Sequence, residues 1–108
     1  MNDQWVEACK AEDVPRDGLV RFDHGDQTYA IYRTQDDGHY ATAGLCTHAR
    51  VHLAGGFAID NQIECPKHND RFDFTTGKAM GVPACVTLQT YQIKIKVESG
   101  PVLINIGA

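Results

Sequence analysis

Two short segments of the chain each pair a cysteine with a histidine at close spacing. One residue separates Cys46 from His48 and two separate Cys65 from His68, while residues 49–64 lie between the two segments. Thiolate sulfur and imidazole nitrogen are ligands for zinc and for iron–sulfur centres. The pattern therefore predicts a metal centre with four protein ligands, two from each segment.

Zinc is the alternative that these ligand types leave open. A structural zinc site with two cysteines and two histidines usually takes both cysteines from one knuckle and both histidines from a helix or a second knuckle. Here each segment supplies one residue of each type. The spacing favours an iron–sulfur centre, and a small zinc-binding interaction module remains the alternative.

An iron–sulfur centre in which two histidines replace two cysteines is a Rieske [2Fe–2S] centre. The segments around the ligand pairs, residues 45–48 and 64–73, resemble those of the Rieske-type ferredoxins of bacterial multicomponent oxygenases. The resemblance is greatest to the ferredoxins that serve aromatic ring-hydroxylating dioxygenases, and it extends over nearly the whole chain.

The resemblance implies one [2Fe–2S] cluster per chain. Cys46 and Cys65 would bind its inner iron, and His48 and His68 would bind its outer, more exposed iron through Nδ1. Two ferric ions, two sulfides and two thiolates leave the oxidised cluster neutral, so it accepts an electron more readily than a cluster held by four thiolates. The implied role is that of a one-electron carrier with no catalytic residues of its own.

The resemblance also implies two partners, an NAD(P)H-dependent flavin reductase that supplies the electron and a terminal Rieske non-haem iron oxygenase that receives it. Docking with both would be transient, and we expect a monomer. A terminal oxygenase would itself need a second iron site with two histidines and a carboxylate, but no histidine follows His68. A Rieske-like reductase subunit, such as the small subunit of nitrite reductase, is a further alternative, which the presence of all four ligands disfavours.

The composition is that of a small acidic globular domain. The 108 residues include 10 Lys and Arg against 14 Asp and Glu, a net charge of −4, and 43% of them are hydrophobic. A protein that wraps nucleic acid needs an excess of cationic residues, so we expect no nucleic-acid partner. The chain shows no signal peptide and no apolar run of bilayer length, so we expect a cytoplasmic protein without membrane attachment.

Short strands with alternating apolar and polar residues dominate the chain, and no window shows a helical stripe. The pattern predicts an all-β fold, an antiparallel sandwich or barrel that forms a single domain over residues 1–108. We expect a basal part at about 1–42 and 82–108, and a small cluster-binding part at about 43–81 that carries both ligand loops. The predicted strands cover residues 5–9, 19–22, 27–33, 39–43, 57–59, 62–64, 71–74, 91–98 and 102–106.

Cationic residues accompany both ligand pairs in this otherwise acidic chain, namely Arg50, Lys67 and Arg71. Residues 81–84 resemble the proline-bearing loop that covers the cluster in the family, and an ordinary turn before the next strand is the alternative. Val82 and Pro83 from this segment, together with Val51, would supply an apolar centre beside the cations. Opposite charges accelerate and orient transient association. We therefore expect partners to dock where these cations and this apolar segment meet.

The sequence departs from the high-potential Rieske proteins of respiratory complexes at four positions. In those proteins a disulfide joins the two cluster loops. The positions that match its cysteines are occupied here by Val51 and Lys67. Their cluster sulfurs accept hydrogen bonds from a serine and a tyrosine, where Asp70 and Phe72 stand here. Such bonds stabilise the reduced cluster and raise its potential, so the sequence predicts a potential near the low end of the Rieske range, roughly −150 mV rather than +300 mV.

Overall fold

Strands dominate the structure, which is a computed structural model. It describes five stretches of the chain, residues 3–47, 50–67, 70–80, 86–95 and 100–107. Within these stretches the helical elements are two 3-10 turns, Ala11–Asp13 and Leu53–Gly55. The strands are β1 (Trp5–Lys10), β2 (Gly18–His24), β3 (Gln27–Arg33), β4 (His39–Ala43), β5 (Phe57–Ile59), β6 (Gln62–Glu64), β7 (Arg71–Asp73), β8 (Thr90–Tyr91), β9 (Ile93–Ile95) and β10 (Pro101–Asn105).

The strands of the described residues form three antiparallel sheets, which confirms the all-β prediction. The first sheet has the order β2-β3-β4-β8, the second β1-β10-β9 and the third β5-β6-β7. In the described part of the chain, no helix is long and apolar enough to cross a membrane.

Strand β3 separates two hydrophobic cores because successive side chains of a strand point to opposite faces. Tyr29 and Ile31 pack into the basal core, and Ala30 and Tyr32 pack into the site core. We define the basal core as Ala11, Val14, Tyr29, Ile31, Ala41, Val102 and Ile104. The site core consists of Ala30, Tyr32, Cys46, Leu53, Ala58, Ile63, Cys65, Phe72, Phe74 and Leu88.

The third sheet forms one wall of the site core. Its register aligns Ala58, Ile63 and Phe72 across the three strands, and all three side chains are buried. The alternate residues of β5 point outward, so Phe57 is 61% exposed and Ile59 47% exposed. The sheet thus directs one apolar face towards the two cysteines of the predicted metal centre.

The prediction of one continuous strand over residues 91–98 is wrong at its start, and residues 96–98 lie outside the described residues. Strand β8 ends at Tyr91 and pairs with β4, whereas β9 begins at Ile93 and pairs with β10, so the chain passes between two sheets at Gln92. The Gln92 carbonyl accepts the N–H of Asn105 at 3.0 Å, and its side-chain oxygen accepts Nδ2 of Asn105 at 3.1 Å. The alternation of apolar and polar residues continues through this crossing, so the period alone does not reveal it.

Candidate metal centre

The first ligand loop runs from Leu45 to His52, which form an isolated antiparallel bridge at its base. Within it, the Cys46 N–H donates to the Val51 carbonyl, and the Arg50 N–H donates to the Cys46 carbonyl, both at 2.9 Å. Arg50 has φ of 60°, the left-handed conformation often found in tight turns. The loop is therefore closed by its own backbone, and its cysteine is fully buried in the site core.

The second ligand loop connects β6 to β7. The Cys65 N–H donates to the Asp70 carbonyl at 2.7 Å and closes this loop in turn. Cys65 lies two residues after the buried Ile63, so the alternation of an extended chain directs both side chains into the site core. Pro66 and Lys67 at the outer end of the loop are exposed.

The two loops bring Cys46 and Cys65 together. The ligand atoms of these cysteines and of Asp70 all lie within 4.8 Å of one another, and all three residues are buried. The Cys46 thiol donates to Oδ2 of Asp70, with 3.3 Å between the sulfur and the oxygen. Two thiolates on one tetrahedral metal lie about 3.8 Å apart when each metal–sulfur bond is about 2.3 Å. The cysteine pair therefore fits one metal ion, as the two-thiolate half of a [2Fe–2S] centre requires.

The other two predicted ligands, His48 and His68, lie outside the described residues, and their assignment stays a prediction. Asp70, in contrast, is a site residue that the sequence singled out only as lacking a neutral hydroxyl. The structure buries it completely beside Cys46. A signal was present, because Asp70 lies two residues before Phe72 and so shares the inward face of an extended segment.

A third segment reaches the site through Thr47. Its hydroxyl donates to the Val86 carbonyl at 2.8 Å and ties the first ligand loop to the chain before β8. Residues 81–84, predicted to cover the cluster, lie outside the described residues. Beside the Thr47 contact is a depression of about 290 Å³, lined by Leu45, Cys46, Thr47, Arg50 and Val86.

The cations grouped by the sequence differ in their surroundings. Arg50 and Lys67 are exposed on the first and second ligand loops respectively. Arg71 is also exposed, but it stands directly opposite Glu64 in the pairing of β6 with β7. Opposite charges on paired strands attract each other. The positive character of the site therefore depends on Arg50 and Lys67 more than on Arg71.

Comparison with known proteins identifies the family. A family model described as the Rieske [2Fe-2S] domain matches residues 4–92. The ferredoxin component of the naphthalene 1,2-dioxygenase/salicylate 5-hydroxylase systems of Ralstonia sp is 35% identical over 96 residues, which cover 89% of this chain and 91% of that protein. The chain therefore belongs to the Rieske [2Fe–2S] family.

The fold supports the same relationship. The structure of the oxygenase–ferredoxin complex of carbazole 1,9a-dioxygenase contains a chain that is 31% identical, with a TM-score of 0.87 over 96% of this chain and 94% of that chain. These matches confirm the expected Rieske ferredoxin, an electron carrier rather than an enzyme, and with it the [2Fe–2S] cofactor.

The alternative of a nitrite reductase subunit has weaker support. A protein described as the small subunit of an NADH-dependent nitrite reductase from Mycobacterium tuberculosis has a TM-score of 0.86 over 100% of this chain and 99% of that chain. It is only 17% identical in sequence, so the likeness shows the fold alone.

Proposed function

We propose that the protein carries single electrons from an NAD(P)H-dependent flavin reductase to a terminal Rieske non-haem iron oxygenase. The observation that carries this proposal is the buried pair Cys46 and Cys65, which two closed loops hold together in a member of the Rieske family. The ferredoxin components among its relatives, and the ferredoxin seen in complex with an oxygenase, support the same role.

The proposed ligands are Cys46 and Cys65 for the inner iron, and His48 and His68 for the outer iron. When bound, the cluster accepts and releases one electron. The two cysteines keep their sulfurs out of water, because both side chains are fully buried. In this assignment residues 43–81 form the cluster-binding part, and the remainder of the domain forms the basal part that supports it.

Docking at the outer ends of the two ligand loops follows from the same assignment. Arg50 and Lys67 supply exposed positive charge there, and Val86, which is 55% exposed, supplies apolar surface. Electron-transfer contacts are small and short-lived, and charge affects their association rate most. We propose that the protein acts as a monomer in the cytoplasm, where cysteine thiols stay reduced and available to iron.

The metal content of protein purified without added metal tests the cofactor and the ligand type together. We expect two irons and two sulfides per chain, visible absorption, and an electron paramagnetic resonance signal of a Rieske centre after reduction with dithionite. Zinc is colourless and gives no such signal. One zinc per chain without visible absorption would overturn the proposal.

Reconstitution tests the partners. The holoprotein is mixed with a flavin reductase, NADH and a terminal oxygenase of the ring-hydroxylating class, and product formation is measured. We expect product only when all components are present, because the carrier links two proteins that exchange electrons poorly with each other. Equal turnover without this protein in every reductase–oxygenase pair would contradict the proposed role.

A further inference from the structure

His52 forms hydrogen bonds through both ring nitrogens. Its Nδ1 accepts the Ala54 N–H at 2.9 Å, and its Nε2 lies 2.9 Å from Oγ1 of Thr28. The Thr28 hydroxyl in turn lies 2.5 Å from Oδ1 of Asp23. These contacts connect the end of the first ligand loop to β3 and, through β3, to β2.

The Ala54 amide determines the direction of every bond in this series. A backbone N–H can only donate, so Nδ1 of His52 carries no proton. The neutral ring then carries its proton on Nε2, which donates to Thr28, and the Thr28 hydroxyl donates to the Asp23 carboxylate. Protonation of Nδ1 would place two donors against each other and break the bond to Ala54.

The ring is also closely enclosed at the base of the loop. A Cβ atom on Gly44 would lie 2.6 Å from Nε2 of His52, so only glycine leaves room for the ring. The Gly44 N–H donates to the Thr28 carbonyl at 2.9 Å, and the Gly44 carbonyl accepts the Leu53 N–H at 2.8 Å. His52 itself bridges Leu45, where the loop begins. Its side chain and its backbone therefore hold the same loop base against β3.

We propose that His52, as the neutral Nε2–H tautomer, positions the first ligand loop by clamping its base between the Thr28 hydroxyl and the Ala54 amide. The inference rests on the assignment of this loop to the cluster. It goes beyond that assignment because His52 acts on Cys46 through the loop backbone and is not proposed as a ligand.

Burial and the charges near the His52 ring favour its neutral form. Among the described residues, the charged groups that act on His52 are Arg21 and Asp23, both on β2. Burial, and then Arg21, lower the pKa of His52 from its ordinary value of 6.5, while Asp23 acts in the opposite direction. The folded protein thus binds this proton less readily than the unfolded chain. The stability from the clamp is present in full above pH 6.5 and is lost as the pH falls below that value.

The test compares the wild-type holoprotein with His52→Asn and His52→Ala between about pH 5 and pH 8, the range in which histidine titrates. Asparagine can accept the Ala54 N–H as a helix N-cap, but it is too short for Thr28 and does not titrate. The rate at which the visible absorption of the cluster is lost, and the midpoint of thermal unfolding, are measured for each protein.

At pH 8 we expect His52→Asn to lose its cluster about fivefold faster than the wild type, the factor for one hydrogen bond of ordinary strength, and His52→Ala faster still. The ratio between the wild type and His52→Asn should fall as the pH is lowered below 6.5, because protonation of the wild-type ring breaks its bond to Ala54. His24→Asn, which changes an exposed histidine at the end of β2, should match the wild type throughout.

Thr28 provides an independent arm of the test. Thr28→Val should accelerate cluster loss in the wild type but have little further effect in His52→Ala, whereas Thr28→Ser should restore the wild-type rate. Additive effects of Thr28→Val and His52→Ala, or a ratio that does not change with pH, would overturn the clamp.

Failure of the ligand assignment would look different. If Cys46→Ser kept a full cluster, the loop would not be a ligand loop, whatever the His52 variants did. If unfolding midpoints followed the expected pH dependence while cluster-loss rates did not, the network would support the fold alone, and the positioning role would be rejected.

Discussion

The two ligand loops are closed by the same kind of backbone hydrogen bond, but different contacts hold them in the fold. In each, the N–H of the cysteine donates to the carbonyl five residues later, from Cys46 to Val51 at 2.9 Å and from Cys65 to Asp70 at 2.7 Å. The second loop then continues directly between β6 and β7, which pair over their whole length. Among the described residues, no such pair of strands flanks the first loop. Its base is held by an isolated bridge and by the backbone bonds of Gly44 to Thr28 and Leu53, together with the side-chain bonds of His52 and Thr47.

This difference indicates how the two cysteines are positioned. The second is placed by regular strand alternation, which depends on many small contributions from the backbone. The first depends on a few separate backbone bonds and on the side-chain bonds of His52 and Thr47, so single substitutions around it should have larger effects on the cluster. Stability is not uniform across a fold, and segments with few backbone bonds open most readily.

Replacement of either cysteine should have the same effect on the cluster, although the two loops are supported differently, because both cysteines lie in one buried site. We expect Cys46→Ser and Cys65→Ser each to abolish the cluster, because an alcohol is a poor substitute for a thiolate at neutral pH. Iron content and visible absorption measure the outcome. Cys9→Ser, which changes a half-buried cysteine of β1 outside the site, should keep both. Full iron and an unchanged spectrum in Cys46→Ser would show that the ligands are elsewhere.

Truncation of one buried side chain next to each loop should reveal the difference in support as a difference in the rate of cluster loss. Leu53, just after the first loop, and Ile63, just before the second, are both fully buried in the site core. Leu53→Ala and Ile63→Ala should each lower the free energy of unfolding by about 2 to 5 kcal/mol. At matched stability, Leu53→Ala should lose its cluster faster, because among the described residues paired strands flank the second loop but not the first. Equal loss rates in the two variants would mean that both loops are equally well supported.

The sequence predicts the features that regular strand patterns determine, but not those that depend on contacts between distant residues. Strands β5 and β6 have the predicted limits because turn residues bound their alternating patterns, as at Asp60 and Asn61, which both have positive φ. The cysteine pair was predicted from ligand chemistry. The clamp at His52 was not, since it joins residues 24 positions apart. The sheet crossing at Gln92 likewise depends on a partner, Asn105, that no local pattern indicates.

Charge reversal at the exposed ends of the two loops should have similar effects, unlike substitution at their bases. Lys67→Glu and Arg50→Glu reverse one exposed charge on the second and first loop respectively. We expect each to change the rate of reduction by the flavin reductase, and the change should shrink at high salt as screening increases. Stopped-flow rates at low and high ionic strength measure this. Lys10→Glu on β1 serves as a control distant in sequence from both loops, and an equal effect there would place docking elsewhere.

The reduction potential should depend most directly on residues at the end of the second loop and the start of β7. Neither Phe72 nor Asp70 presents the neutral hydroxyl found at the matching positions of the high-potential Rieske proteins. Phe72 is fully buried in the site core, and an Asp70 carboxylate oxygen lies 3.3 Å from the Cys46 sulfur. With no hydroxyl donor from these two positions, we expect a midpoint of roughly −150 mV, at the low end of the Rieske range. Voltammetry measures it, and a midpoint well above zero would contradict the proposed low-potential carrier.

Phe72→Tyr should raise that midpoint by some tens of millivolts, since a new hydroxyl beside the cluster sulfurs would stabilise the reduced state, and 59 mV corresponds to about 1.4 kcal/mol for one electron. Phe74→Tyr is the matched control, because Phe74 is also buried in the site core but stacks on Tyr32 at 4.3 Å between ring centres. A buried hydroxyl that acted only by changing packing would shift both variants alike. A shift confined to Phe72→Tyr would instead show that the side chain of Phe72, on β7 directly after the second loop, faces the cluster. The end of the second loop and the start of β7 would then set the reduction potential, while the first loop determines how firmly the cluster is held.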